Sequence, residues 1–404
     1  MPDRWNAAAQ NMRENAMPSS APSLSLHRRI ADIPAAQWDL CAGDDNPFVS
    51  HAFLSALEDS GSAEARTGWL PQHAAVHAAD GSLLAVAPMY AKSHSFGEYV
   101  FDQQWARAFE QAGGEYYPKL QVAVPFSPVT GPRLLVRRDM GDGAAETHAR
   151  MLAGALRQAC GELGLSSTHV TFCERGEYEL MGGEGWLQRL GVQYHWDNPG
   201  YGSFEDFLAT LASRKRKTLR RERRDANGCG LTFEAVRGPD ITEDLWDHFY
   251  RFYLSTVDRK WGSAYLRRPF FSLLSQRLGD RVVLMVARRD ATPVAGALNL
   301  MGRDTLYGRN WGCDRGDWPF LHFELCYYQA MEFAIAHGLR RVEAGAQGEH
   351  KLQRGYRPCL TYSTHWIEHP GLRNAVAEFL EHERAAIMGE MDVMNAMTPY
   401  RTQS

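Results

Sequence analysis

The chain has 404 residues, 44% hydrophobic and 23% charged, with a formal net charge of −4. That length is more than one core fills and suits two domains of ordinary globular composition. No apolar run reaches the ~20 residues that cross a bilayer. Seven scattered cysteines without a CxxC pair argue against a zinc knot or a disulfide framework and point to reduced thiols in a cytoplasm.

Residues 1–22 lack the apolar segment of a secretory signal and read as a disordered tail. A helix is predicted over 47–60, with Asn46 as its cap and Phe48, Phe53, Leu54 and Leu57 on one face. The segments 73–79 and 83–90 flank Asp80-Gly81 and predict a hairpin. A third strand is expected over 98–102, a helix over 103–112, a strand over 120–125 and a long helix over 144–163 ended by Gly164. Strands at 168–172 and 192–196 enclose a short helix.

In the second half, helices are expected over 204–224, 244–260 and 269–277. Strands at 281–288, 294–301 and 305–311 form an antiparallel meander. A helix over 321–337, a strand over 341–345, a polar loop, a strand over 361–367 and a helix over 372–396 complete the chain. Each half thus runs strands, helix, strand and Gly/Pro-rich loop. The order predicts an α+β fold of two structurally duplicated domains, 23–198 and 199–404, with mixed, mostly antiparallel sheets flanked by helices.

The segment 214–224, RKRKTLRRERR, carries eight bases and one acid, so the rest of the chain sums to −11. Phe204, Phe207, Leu208 and Leu211 anchor the start of this helix at helical spacing. Like charges at i, i+4 repel by ~0.2–0.5 kcal/mol per pair. Arg214, Lys215, Arg216, Lys217, Arg220 and Arg221 are therefore candidates to bind an anion, such as a nucleotide tail, a lipid pyrophosphate, tRNA or an anionic membrane surface. The alternative is a solvated helix paired with acids from elsewhere. No second motif supports sequence-specific DNA binding.

The run GAQGEHKLQRGY at 345–356 concentrates an acid, an imidazole, an amide and two cations among three glycines. Glu349 and His350 are candidate proton carriers. Gln347, Lys351, Arg354 and Tyr356 are candidate substrate contacts. No Walker or GxGxxG pattern is present. Glu324 sits among bulky residues of the 321–337 helix, either against Arg309 or the polar loop, or as a helix-start acid. It is a third catalytic candidate, and Arg309 and Trp311 are candidate contacts at the same sheet end. In the first half His94, Glu98, Asp102, Tyr117 and Lys119 are placed toward a cleft between the halves, with His94 and Lys119 as substrate candidates. Strand alternation puts Glu98 and Asp102 on one face, where two acids read first as solvent-exposed. In RKWGSAYL at 259–266, Trp261 and Tyr265 near Arg259 read as a lid or as packing. His365 and His369 share a strand face without a third ligand and read as structural, not metal-binding.

The blocks SHSFGEYVFD, YYPKLQVAVPFSPVTGPRLL, SRKRKTLRRERR, FLHFELCYYQAMEFAI and EAGAQGEHKLQRGY, in that order, resemble a bacterial family of GNAT-like N-acetyltransferases or peptidoglycan biosynthesis/recognition proteins over about 25–400. More widely the chain is similar to Fem-type aminoacyltransferases, which have two GNAT-like domains. Those carry a basic helical segment before the second sheet and a Gly-rich, lysine-containing loop after a returning strand, in the places of 214–224 and 345–356. The resemblance implies a tandem GNAT-like fold and transfer of an activated acyl group to an amine, in cell-wall precursor metabolism. It implies no permanently bound cofactor, with acyl-CoA or aminoacyl-tRNA as co-substrate. The acceptor is a small-molecule or lipid-linked amine, and the protein is cytoplasmic or peripheral to the inner membrane. One departure argues against ordinary acetyl-CoA use: GCDRGDWPF follows Trp311 where the acetyl-CoA signature is expected. The other reading is a non-catalytic binder of an anionic wall precursor, lipid or tRNA.

Overall fold

The computed structural model describes residues 22–259, 264–314, 316–345 and 348–401. The chain forms two compact units. The first takes the described residues up to Gly191 together with Thr361–Ile387, and the second takes Val192–Leu360 and the chain from Met388 on. The units are thus not two consecutive stretches of sequence. Except for Pro22, the expected tail lies outside the described residues.

The first unit holds two sheets. Strands β1 (Ser23–His27), β3 (His73–His77), β4 (Leu83–Ala87) and β7 (Leu135–Val136) form an antiparallel sheet in the order β1–β3–β4–β7. The second sheet uses β2 (Trp69–Pro71), β5 (Met89–Lys92), β6 (Lys119–Val122), β8 (Ser167–Cys173) and, from late in the chain, β15 (Arg357–Ile367). Their order is β15–β8–β6–β5–β2, and only β6 and β8 run parallel. Successive strand residues face opposite sides. Met89, Ala91, Leu120, Val122 and Val170 therefore enter the apolar core under helix Asp142–Glu162, with its Leu152, Leu156 and Cys160.

The second unit has one sheet of β10 (Leu231–Arg237), β11 (Val282–Arg289), β12 (Thr292–Met301), β13 (Thr305–Cys313), β14 (Arg341–Glu343) and β9 (Leu187–Asp197), in the order β10–β11–β12–β13–β14–β9. The strands are antiparallel except for β13 beside β14. Trp196, Phe207, Leu219, Met285, Leu325, Met331 and Tyr356 fill its core. At Gly312 a Cβ would stand 2.2 Å from Phe252 O, so this glycine lets helix Glu243–Arg259 approach β13.

Four local expectations are corrected. The segment 98–102 is not a strand, and its acids are buried while Tyr99 and Phe101 face solvent. The helix expected over 204–224 is two helices, Phe204–Thr210 and Ser213–Asn227, because Leu211 is extended and bridges to Tyr400. The helix from Leu321 contains a π-helical turn, Glu324–Tyr328. The loop after β14 closes into a 3₁₀ helix, Glu349–Arg354. In 259–266, residues 260–263 and the side chain of Arg259 lie outside the described residues, while the Tyr265 N–H donates to Tyr253 Oη at 3.1 Å.

Candidate active site

The site of the second unit begins where two strands part. β13 and β14 pair for three residues only, Thr305 with Arg341, Leu306 with Val342 and Tyr307 with Glu343. β14 then ends while β13 continues to Cys313. A bulge between Ala297 and Asn299 bends β12 on the other side of β13. A cavity of about 80 Å³ occupies the parting, lined among others by Gly308, Arg309, Asn310, Trp311, His322 and Tyr327. His322 and Tyr327 flank the start of the π-helical turn, a device that re-aims side chains and recurs at functional sites.

Two ion-pair clamps join the basic helix to this region. Glu222, the one acid in the cationic run, turns inward with Leu219 and Ala226. It accepts from Arg354 Nε at 3.1 Å and Nη2 at 2.8 Å, and also from Tyr328 Oη. Arg354 in turn donates to His350 O at 2.9 Å and lies 3.4 Å over the Phe323 ring. The second clamp is Arg223, which donates to Glu324 at 2.9 and 3.2 Å and to Glu332 at 2.7 Å. Lys215 adds a hydrogen bond to Gln353 Oε1. Arg223 and Glu222 on the inner face of the helix are thus neutralised, Lys215 meets a neutral amide, and bidentate geometry fixes the loop 348–356 against the helix.

The outer face is not neutralised. Arg220 pairs with Glu205, and Arg224 stands 3.5 Å from Asp225. Arg214, Arg216, Lys217 and Arg221 have no acidic partner among the described residues. Two of these four, Arg214 and Arg216, lie in the first turn of the helix, which has no side-chain cap. Cations at the positive end of a helix dipole are unfavourable until an anion meets them.

Lys351 is buried and donates to Gly345 O at 2.7 Å. Burial pulls its amine down to about 8. His350 shares a 2.8 Å hydrogen bond between Nε2 and Tyr327 Oη, and its ring centroid lies 6.2 Å from that of His322. Partial burial, then Arg354 and Lys351, hold its imidazole below the ordinary value, so it is neutral at pH 7.

Of the residues selected from sequence, His350, Lys351, Arg354, Arg309, Trp311, Glu324 and the cationic run all fall in this unit. Glu324 is fully buried with its carboxylate bound by Arg223 and Gln329, so it fixes the helix and does not face the cavity. Arg354 and Tyr356 are likewise buried anchors. Gln347 and the side chain of Glu349 lie outside the described residues. His94 and Lys119 belong to the first unit. His94 is half-buried, with its Nδ1 accepting from the Phe96 N–H at 3.2 Å, and Lys119 is fully buried. Sequence reasoning missed Glu222, Asn310 and Tyr327. A single acid inside RKRKTLRRERR was the available signal for the first.

Comparison with known proteins agrees with the fold. A family model described as FemAB-like, peptidoglycan biosynthesis/recognition, matches residues 29–402. No curated protein matches the chain. Among solved structures, FemX is 11% identical with a TM-score of 0.54, covering 85% of this chain and 98% of FemX. The C-terminal domain of a lysylphosphatidylglycerol synthetase candidate from Agrobacterium fabrum is also 11% identical, with a TM-score of 0.52, covering 87% of this chain and 96% of that domain. At that identity the likeness establishes architecture alone: mixed, mostly antiparallel sheets flanked by helices.

Proposed function

The chain belongs to the FemAB-like family of peptidoglycan biosynthesis/recognition proteins, and on that footing we propose that its second unit transfers an activated acyl or aminoacyl group to an amine. The observation that carries this reading is the coupling of two features. A helix with four outward cations lacking acidic partners among the described residues is riveted through Glu222–Arg354 to the loop that carries His350 and Lys351. Those cations suit a donor whose carrier bears phosphates, namely aminoacyl-tRNA or an acyl-CoA. The acceptor is a small-molecule or lipid-linked amine of a wall precursor.

In this reading the donor's phosphates lie along Arg214, Arg216, Lys217 and Arg221, and its carbonyl enters the parting of β13 and β14. Backbone N–H groups on the free edge of β13 are the donors for the developing oxyanion. His350 takes the proton of the attacking amine: with Nε2–H donated to Tyr327 Oη, Nδ1 is the free lone pair. Lys351 holds the loop through Gly345 O and supplies positive potential beside it. No helix among the described residues is long and apolar enough to cross a membrane; residence in the cytoplasm, or at the inner face of the membrane through the basic helix, belongs to the same reading.

The test is to incubate the full chain with labelled aminoacyl-tRNA or acyl-CoA and soluble or lipid-linked amine acceptors. Loss of the ester or thioester with gain of an amide is expected. His350→Ala is expected to lower kcat by roughly 10²–10⁴-fold, and the triple variant Arg216→Ala/Lys217→Ala/Arg221→Ala to raise the donor KM. Unchanged kinetics in both variants would remove the assignment.

A further inference from the structure

The first unit carries ionisable groups that the transfer reading does not use. On β5, β6, β8 and β15, the residues alternating away from the apolar core include Tyr90, Lys92, Lys119, Gln121, His169 and His365. All six are buried. Lys92 and Lys119 are register partners on adjacent strands, as are Tyr90 and Gln121, and His169 and His365. A sheet face this polar is seldom buried without partners for every atom. Among the described residues Tyr90 Oη, Gln121 Oε1 and His365 Nε2 have no hydrogen-bond partner, and neither do Glu98 Oε1 and Asp102 Oδ1 beside them.

The segment 93–102, SHSFGEYVFD, contacts this face, and its polarity is inverted. Its buried side chains are Ser95, Glu98 and Asp102, whereas Phe96 and Phe101 are each 63% exposed and Tyr99 also faces solvent. Lys119 Nζ donates to Ser95 Oγ at 3.0 Å and Glu98 Oε2 at 2.7 Å, and pairs with Asp102. Lys92 Nζ donates to Phe96 O at 3.2 Å and stands 3.8 Å from Glu98 Oε1. Closure of this segment therefore buries two acids and no large apolar side chain of its own. Apolar burial is what makes a segment costly to lift; this one is held by the two lysines, whose contacts another anion can take over, and by a few hydrogen bonds, among them Trp69 Nε1 to Phe96 O at 3.2 Å, Ser95 Oγ with Tyr117 Oη at 2.8 Å and Tyr116 Oη to Asp102 at 2.7 Å.

We propose that residues 93–102 are a lid over an anion-binding site, in which Glu98 and Asp102 occupy the places taken by phosphate or carboxylate groups of a small ligand when the lid lifts. Lys92 and Lys119 are the cationic contacts, and the Tyr90 hydroxyl supplies a neutral donor. Two lysines against two carboxylates make the closed layer neutral, so a ligand with two anionic groups leaves it neutral when open. The proposal does not rest on transfer in the second unit.

The test titrates the full chain with inorganic pyrophosphate and, separately, with succinate, following hydrogen exchange of the amides of 93–102 by mass spectrometry. This local readout is chosen because pyrophosphate also meets the basic helix. At least one anion is expected to speed exchange in 93–102 several-fold. Response to pyrophosphate alone assigns a phosphate ligand, and response to succinate alone a carboxylate ligand. Glu98→Gln, which removes a competing carboxylate, is expected to reach the same response at about five-fold lower anion concentration, and Lys92→Met to lose it. Exchange in 93–102 that ignores both anions in the natural chain and in Glu98→Gln would overturn the proposal, as would an undiminished response in Lys92→Met. If Glu98→Gln does not fold, the natural chain and Lys92→Met decide alone.

Discussion

In the first unit residues 120–122 pair in parallel with 168–170, and in the second 305–307 pair in parallel with 341–343. Each pair spans a helix, and each ends a run of antiparallel strands. The completions differ. In the second unit the strands part around a cavity, and the nearby cations on the basic helix face outward without acids. In the first, Lys92 and Lys119 lie on the strands themselves and are covered by Glu98 and Asp102. Burial draws Lys92 down to about 7 and Lys351 to about 8, so the two amines are similarly desolvated. Each donates to a backbone carbonyl, Phe96 O and Gly345 O; what separates them is the Glu98 carboxylate, 3.8 Å from Lys92. Placement of the counter-charge, more than residue type, decides whether a cation is open to a ligand or covered by an acid of its own chain.

The largest effects should come from breaking the buried pair in each unit. Glu222→Ala strands Arg354, and Lys119→Met strands Glu98 and Asp102. Each is expected to cost about 3–5 kcal/mol in urea unfolding, the usual penalty for leaving a buried charge alone. A loss below about 1 kcal/mol in either unit would break the symmetry drawn here.

Next comes the pH dependence of Lys351. Its folded value of about 8 lies below the ordinary 10.5, so between those two pH values the unfolded chain binds more protons. Stability from this group therefore rises with pH across that window, and below about 8 the penalty is fully present. The gain is about 3 kcal/mol at most. Lys351→Met should flatten the rise; parallel curves for the natural chain and variant would contradict the assignment. The smallest effect belongs to the outer face of the helix. Arg220→Ala removes only an exposed pair with Glu205 and should leave the urea midpoint where the natural chain has it; a clear shift would contradict this.

Most elements were legible in the sequence because their signals are local. The hairpin turn at Asp80-Gly81 and the helix stop at Gly164 need nothing beyond their neighbours. The misread stretches depend on distant partners. Leu211 continues the stripe of Phe204, Phe207 and Leu208, yet it leaves the helix to bridge Tyr400. Glu98 and Asp102 look like surface acids until Lys119 arrives 17 to 21 residues later in the chain. β10, LTFEAVR, was not expected, although Leu231, Phe233 and Ala235 alternate with Thr232 and Glu234; what makes it a strand is its pairing with β11, some fifty residues on. In the candidate site the cationic run and the polar loop were visible as compositions. Their junction was not, because Glu222 and Arg354 are 132 residues apart.

The central claim is that the outward cations and the loop carrying His350 serve one phosphate-bearing donor. Its most direct test is the salt dependence of aminoacyl-tRNA binding by the full chain. The natural protein should show log Kd rising linearly with log salt, and Arg216→Ala/Lys217→Ala/Arg221→Ala should lower that slope by about 2, with Lys351→Met leaving it unchanged. Identical slopes in the natural chain and the triple variant would contradict the claim.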